Sequence, residues 1–245
     1  MRIALIGATG FVGARVLDRL LNRGHEVSAL VRRPGALPDR DRLTPVELDV
    51  QDPDRLGVAI DRDRVVRAVA GHDLVVSCFN PGHDLKVNPN LYRDVVEGTR
   101  AIIDGVKRAG VRRFLYLGGA GSLLAPSGLM LVDDLEFFSE LVRHPPKEAF
   151  VPDGPPILDI PRAARIALNL LQLEHDLEWI FLSPSLYLGD YGGGTGKLRY
   201  GANQLLLGPD GRSARLDVSD LALALVEQAE RPTGSRVHIT VATNW

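Results

Sequence analysis

The most constraining feature of the chain is the glycine turn Gly7-Ala8-Thr9-Gly10-Phe11-Val12-Gly13, which follows the apolar run Ile3-Ala4-Leu5-Ile6. Glycines spaced G-x-x-G-x-x-G suit a strand that turns sharply into a helix. Gly7 permits the tight exit, Gly10 leaves the backbone open to a pyrophosphate, and Gly13 lets the helix pack close to the strand. The helix start offers unpaired N–H groups and partial positive charge, which favour an anion. Gly7, Thr9, Gly10, Phe11, Val12 and Gly13 are therefore expected to bind a dinucleotide.

The rest of the first half repeats the strand–helix rhythm. Short apolar runs recur at Val27–Val31, Val46–Leu48, Leu74–Cys78 and Phe114–Leu117. Uninterrupted runs of this kind suit strands covered on both faces, as in a parallel sheet. Asp52-Pro53 and Asn88-Pro89 pair a capping residue with a first-turn proline, while Gly24 and Gly110 read as helix stops. Strands alternating with helices predict an α/β fold of Rossmann type, a doubly wound and mostly parallel sheet. Residues 118–161 carry many glycines and prolines and read as a partly helical excursion over the sheet's C-terminal edge. A helix near Arg162–Leu173, a strand at Trp179–Leu182, a Gly208–Gly211 turn, a helix over Leu221–Ala229 capped by Ser219 or Asp217, and a strand at Val237–Val241 follow. Nothing marks a linker, so the expectation is one domain over 1–245, with 1–121 as its cofactor-binding half and 122–245 as a small substrate and lid half.

Composition excludes several function classes. With 29 basic and 31 acidic residues among 245, the net charge of −2 points to neither nucleic acid nor an anionic membrane. No run of about 18 apolar residues spans a bilayer. Met1-Arg2 leads directly into a short apolar segment broken by the glycine turn, which does not read as a signal peptide. Cys78 is the single cysteine, and the six histidines show no ligand pair at helical spacing, so no metal is expected. These features place the chain in a reducing cytoplasm.

The second strand addresses which dinucleotide binds. An NAD site usually places an acid near that strand's end, but this chain has Leu30-Val31-Arg32-Arg33-Pro34, with no acid before Asp39. Arg32 and Arg33 suit a 2′-phosphate through charge-assisted hydrogen bonds, which favours NADP(H) over NAD(H). Asp49, followed by Val50 at the end of the third strand, is placed to meet the adenine amine. Cys78, Phe79 and Asn80 end the fourth strand beside the ribose and pyrophosphate, with Cys78 as packing rather than a redox group.

The GATGFVG turn, the VRRP, LDVQDPD and LGGAGS segments resemble an atypical short-chain dehydrogenase/reductase. The nearest pattern is the NAD(P)H-binding group of NADH-flavin reductase-like proteins, NmrA-like proteins and biliverdin reductase B. Trp179–Ser185, Thr195-Gly196-Lys197 with Gln204–Leu207, and Leu216–Ala222 match as well, whereas 56–68 and 140–162 diverge. The resemblance implies that Gly118 and Gly119 follow the fifth strand at the cofactor, and that Pro184 passes the nicotinamide.

One departure from the wider superfamily matters. Its tyrosine–lysine dyad is missing: the residues four positions after Tyr92, Tyr116, Tyr187, Tyr191 and Tyr200 are Val96, Ala120, Tyr191, Thr195 and Gln204. Hydride transfer to a flavin, quinone or tetrapyrrole needs less protein acid, so the first expectation is an NADPH-dependent oxidoreductase with a planar small-molecule acceptor. The alternative is a non-catalytic, NmrA-like NADP(H) sensor. Ser122 is the one catalytic candidate, either bonding an acceptor carbonyl or closing its own turn. Tyr187 and Tyr191 suit a pocket wall and a core equally. Arg162 and Arg165 either attract an anionic acceptor or are solvated charges. A homo-oligomer or protein partner stays open. Gly192–Lys197 superficially suggests a phosphate loop, but Tyr191 occupies the required first glycine position.

Overall fold

The computed structural model describes residues 1–50, 62–82, 90–150 and 159–244 of the chain. The first half runs β1 (Arg2–Ile6), α1 (Gly13–Asn22), β2 (Glu26–Val31), β3 (Leu43–Glu47), α2 (Arg62–Val69), β4 (Leu74–Ser77), α3 (Leu91–Arg108) and β5 (Arg113–Leu117). The second half adds α4 (Leu135–Arg143), α5 (Asp159–Gln172), β6 (Glu178–Pro184), β7 (Tyr187–Gly189), β8 (Leu198–Gly201), β9 (Arg215–Asp217), α6 (Val218–Glu230) and β10 (Val237–Thr243). Asp52-Pro53 and Asn88-Pro89 lie outside the described residues.

Eight strands form one sheet in the order β3-β2-β1-β4-β5-β6-β10-β8, and β7 pairs with β9 in a separate two-stranded sheet. Every pairing in the large sheet is parallel except that of β10 with the edge strand β8. Strand order reverses beside β1: β2 and β3 extend one way, β4 and its successors the other. This reversal opens a crevice at the carboxyl ends of β1 and β4, the usual ligand position in such sheets. Pro45, which lacks an N–H, sits in the edge strand β3, where a missing donor costs least.

The apolar runs are buried on both faces, as a parallel sheet requires. Ile3 and Leu5 of β1 point to one side and join Val16, Leu17 and Leu20 of α1 and Leu221 and Leu225 of α6. Ala4 and Ile6 point to the other and join Val65 of α2, Ile102 and Val106 of α3, and Leu168 and Leu171 of α5. Each fully buried leucine or isoleucine contributes about 1.5–3 kcal/mol. A third cluster, Leu123, Leu131, Phe138, Leu141 and Leu205, gives the 118–150 segment its own small core. Helix stops are where the sequence placed them, with Gly24 at φ +80° and Gly110 at φ +71°. Asp217 is the cap of α6, its carboxylate accepting from the Ser219 amide at 2.7 Å.

The glycine loop before β8 has an internal use. The amides of Thr195 and Gly196 donate to the Asp220 carboxylate at 3.1 and 2.9 Å, and the Thr243 hydroxyl donates to it at 2.8 Å. Asp220 is fully buried, and a Cβ on Gly194 would come within 2.5 Å of its carboxylate. The loop thus resembles a phosphate cradle because it cradles a carboxylate of its own chain. Hydrogen bonds to a charged group contribute about 1.5–3 kcal/mol each, and unpaired buried donors cost similar amounts. Asp220→Ala is accordingly expected to lower the unfolding free energy in urea by about 3 kcal/mol, with Asp220→Asn recovering part of it. A loss for Asp220→Ala below about 1 kcal/mol would contradict this account.

Candidate dinucleotide site

At the exit of β1 the backbone has almost no spare room. A Cβ on Gly13 would lie 2.1 Å from the Gly7 carbonyl oxygen, and one on Gly7 would lie 2.6 Å from that of Cys78. Gly7 also holds φ +79°, a left-handed backbone that glycine adopts without steric cost. Its amide donates to Leu30 O at 3.2 Å and its carbonyl accepts from the Gly10 amide at 3.0 Å, so the turn is fixed to β2 and closed on itself. The first turn of α1 holds no acidic side chain, which leaves its positive end available to an anion.

Around this turn lies a cavity of 630 Å³. It is lined by Gly7, Thr9, Gly10, Phe11, Val12 and Gly13, by Arg32 and Arg33, by Asp49 and Val50, by Cys78, Phe79 and Asn80, and by Gly118, Gly119 and Pro184. All the residues proposed from sequence for the cofactor thus meet at one place, drawn from the exits of six parallel strands. Arg32 and Arg33 are exposed at the cavity edge. Cys78 is buried in its wall, and burial pushes the thiol up to about 12, so it stays protonated and unreactive at neutral pH.

The residues proposed for the acceptor side are placed differently: none of the five lines the cavity. Ser122 is 1% exposed, and its hydroxyl donates to Gly119 O at 2.9 Å while standing 3.0 Å from Ser183 Oγ. Of its two readings, the geometry shows the hydroxyl closing its own turn. Tyr187 is buried and donates to Leu141 O at 2.7 Å; Tyr191 donates to Tyr187 O at 3.1 Å. Both brace the wall from behind. Arg165 is paired with Asp133, and Arg162 is exposed outside the cavity.

The end of the cavity away from the glycine turn is instead built from Phe138 and Val142 of α4, Phe150, Ile160, Pro161 and Ala164 of α5, and Leu186 and Leu188 around β7. Sequence reasoning missed these residues. The signal for α4 was present in Leu135-Glu136-Phe137-Phe138-Ser139-Glu140-Leu141-Val142, where apolar residues recur at helical spacing after Asp134, whose carboxylate caps the helix at Phe137 N. Phe11 links the two ends: its ring stacks on Phe150 at 6.0 Å, and the Arg15 guanidinium lies 5.0 Å above it while pairing with Asp190.

Residues 7–229 match the sequence pattern of the NAD(P)H-binding family. The chain belongs to that family. The fold and the glycine turn place it among the atypical short-chain dehydrogenases/reductases, a family of NAD(P)H-dependent oxidoreductases. The NAD(P)H-binding chain is 29% identical to the uncharacterized protein YwnB of Bacillus subtilis, covering 99% of each. It is 28% identical to a Streptomyces protein named 3-diazoavenalumate denitrifying reductase, over 98% of this chain and 76% of that one. Among solved structures, a candidate epimerase from Bacteroides thetaiotaomicron superposes with a TM-score of 0.78 at 32% identity, covering 100% of this chain and 97% of the other. No described helix is long and apolar enough to cross a membrane.

Behind the Gly119 wall, Ser183 Oγ stands 2.9 Å from His238 Nε2, and the His238 ring meets Phe181 edge-on at 5.2 Å. Burial pushes the His238 imidazole down from 6.5 to about 4, so the fold holds it neutral. Because the folded value is the lower one, this contribution to stability is complete above pH 6.5 and is lost as pH falls towards 4. Urea unfolding is expected to show stability declining across that window, and His238→Gln should flatten the decline. An unchanged profile in the variant would contradict the assignment.

Proposed function

We propose that the protein is an NADPH-dependent reductase that passes a hydride to a planar, conjugated small molecule. The observation that carries this reading is the composition of the cavity. An arginine-flanked glycine turn forms one end and an apolar chamber the other, and the described lining includes no tyrosine, lysine or histidine.

The residues fit the cofactor. Gly7, Gly10 and the start of α1 would hold the pyrophosphate, where added Cβ atoms would crowd the turn. Arg32 and Arg33 would hold the 2′-phosphate, Asp49 and Val50 the adenine, and Gly118, Gly119 and Pro184 the reactive end. When bound, NADPH supplies the hydride. Phe138, Phe150, Pro161 and Leu186 exclude water from the acceptor and orient it by apolar contact. The face of α5 towards the cavity presents Ile160, Pro161 and Ala164, none of which moves a proton. An acceptor whose reduced form takes its proton from water suits that wall, whereas epimerisation or carbonyl reduction, which requires an acid or base, does not. The reductase name of the Streptomyces relative supports the same direction. A cytoplasmic setting, where Cys78 remains a free thiol, completes the reading.

The test is an NADPH and NADH titration followed by an acceptor screen with flavins, quinones and biliverdin. Losing two charge-assisted hydrogen bonds of about 1.5 kcal/mol each corresponds to about 100-fold in affinity. The Arg32→Glu, Arg33→Glu variant should therefore bind NADPH about 100-fold more weakly and leave NADH affinity nearly unchanged. Equal losses for both would sink the 2′-phosphate assignment. NADPH binding with no turnover of any acceptor would favour a sensor over a reductase.

A further inference from the structure

Among the described residues, the acceptor end lacks a positive charge as well as an acid. Its walls are Phe138, Val142, Phe150, Pro161, Leu186 and Leu188, and the one hydroxyl among the nearby lining residues, that of Ser185, is 3.1 Å from Ser213 Oγ. Arg15, Arg165, Arg212 and Arg215 are each engaged by other groups, and Arg162 is exposed outside the cavity. Arg15 pairs with Asp190, and Arg165 with Asp133. Arg212 donates to Leu141 O at 3.0 Å and lies over Tyr187, while Arg215 lies over Tyr191. The cations of the cavity itself, Arg32 and Arg33, stand at the end of β2, by the glycine turn.

Charge therefore divides the cavity. The end that would hold the dinucleotide phosphates has a positive helix end and two guanidiniums, whereas the described residues of the other end offer an anion no cation in exchange for its hydration. Moving an unpaired carboxylate or phosphate against such walls is strongly unfavourable. A neutral aromatic ring gains there from dispersion and from apolar area removed from water. We infer that the acceptor is an uncharged planar ring, of quinone or phosphate-free isoalloxazine type, and that phosphorylated flavins and propionate-bearing tetrapyrroles are disfavoured. This inference rests on the reductase reading and narrows it from planar acceptors in general to neutral ones.

Equilibrium binding tests it without turnover. Riboflavin and FMN share one ring and differ by a phosphate; 1,4-naphthoquinone and its 2-sulfonate form a second such pair. With NADP⁺-loaded protein and fluorescence titration, each neutral member is expected to bind at least about fivefold more tightly than its anionic partner, because no cation repays the anion's desolvation. Both ratios should change little between low and moderate salt, since no charge pair is being screened. Val142→Arg, with folding checked by NADP⁺ binding, should narrow or invert both ratios. Tighter binding of FMN than riboflavin at low salt overturns the inference. So does failure of both neutral rings to bind, or a Val142→Arg variant with unchanged ratios. Neutral rings that bind without NADPH oxidation would instead overturn the reductase reading and leave the charge preference intact.

Discussion

Gly13 lies against the Gly7 carbonyl with no space for one more carbon, and the architecture of the site depends on that contact. It fixes how closely α1 approaches β1 and aims the helix start at the crevice where strand order reverses. The Gly7 amide on Leu30 and the Cys78 amide on Ile6 then bind the exits of β2 and β4 to the same turn. Once these three exits are set, the residues that follow them (Arg32 and Arg33, Phe79 and Asn80) can only face one space. The cavity follows from a packing constraint that acts before any ligand arrives.

The second half of the chain solves a different problem. Strands β6 and β10 extend the sheet, while 118–150 and β7–β9 build a wall above its edge. That wall is held by polar ties that face away from the cavity: Tyr187 on Leu141, Arg212 on Leu141, and Ser122 on Gly119. Hydrogen-bonding groups are consumed behind the surface, and apolar side chains are left on it. An inert chamber arises in this way from residues whose chemistry suggests the opposite.

This arrangement explains what the sequence could and could not show. The glycine turn and the Gly24 and Gly110 stops act within a few residues of themselves, so their roles are local and legible. Both helix-packed faces were legible too, since alternate residues of β1 are apolar throughout. Phe138, Val142 and Leu186 were not, because α4 meets β7 only through contacts about 46 residues apart in sequence, such as that of Tyr187 with Leu141. Ser122 follows the fifth strand and the two tyrosines the sixth, but position along the chain does not reveal direction, and all three spend their hydroxyls on nearby carbonyls. The partner of the Gly192–Lys197 loop, Asp220, lies 24 residues further on from Gly196 and could not be read from the loop.

Phe11 belongs to both parts of the molecule. It sits between Gly10 and Gly13 in the turn, and its ring stacks on Phe150 in the upper wall. A side chain shared by two compartments makes them partners in a thermodynamic sense. Any displacement of the Phe11–Phe150 stack that one occupant imposes changes the free energy available to the other. Linkage then requires the effect to be mutual and equal in size: whatever factor the first ligand adds to the affinity of the second, the second returns to the first.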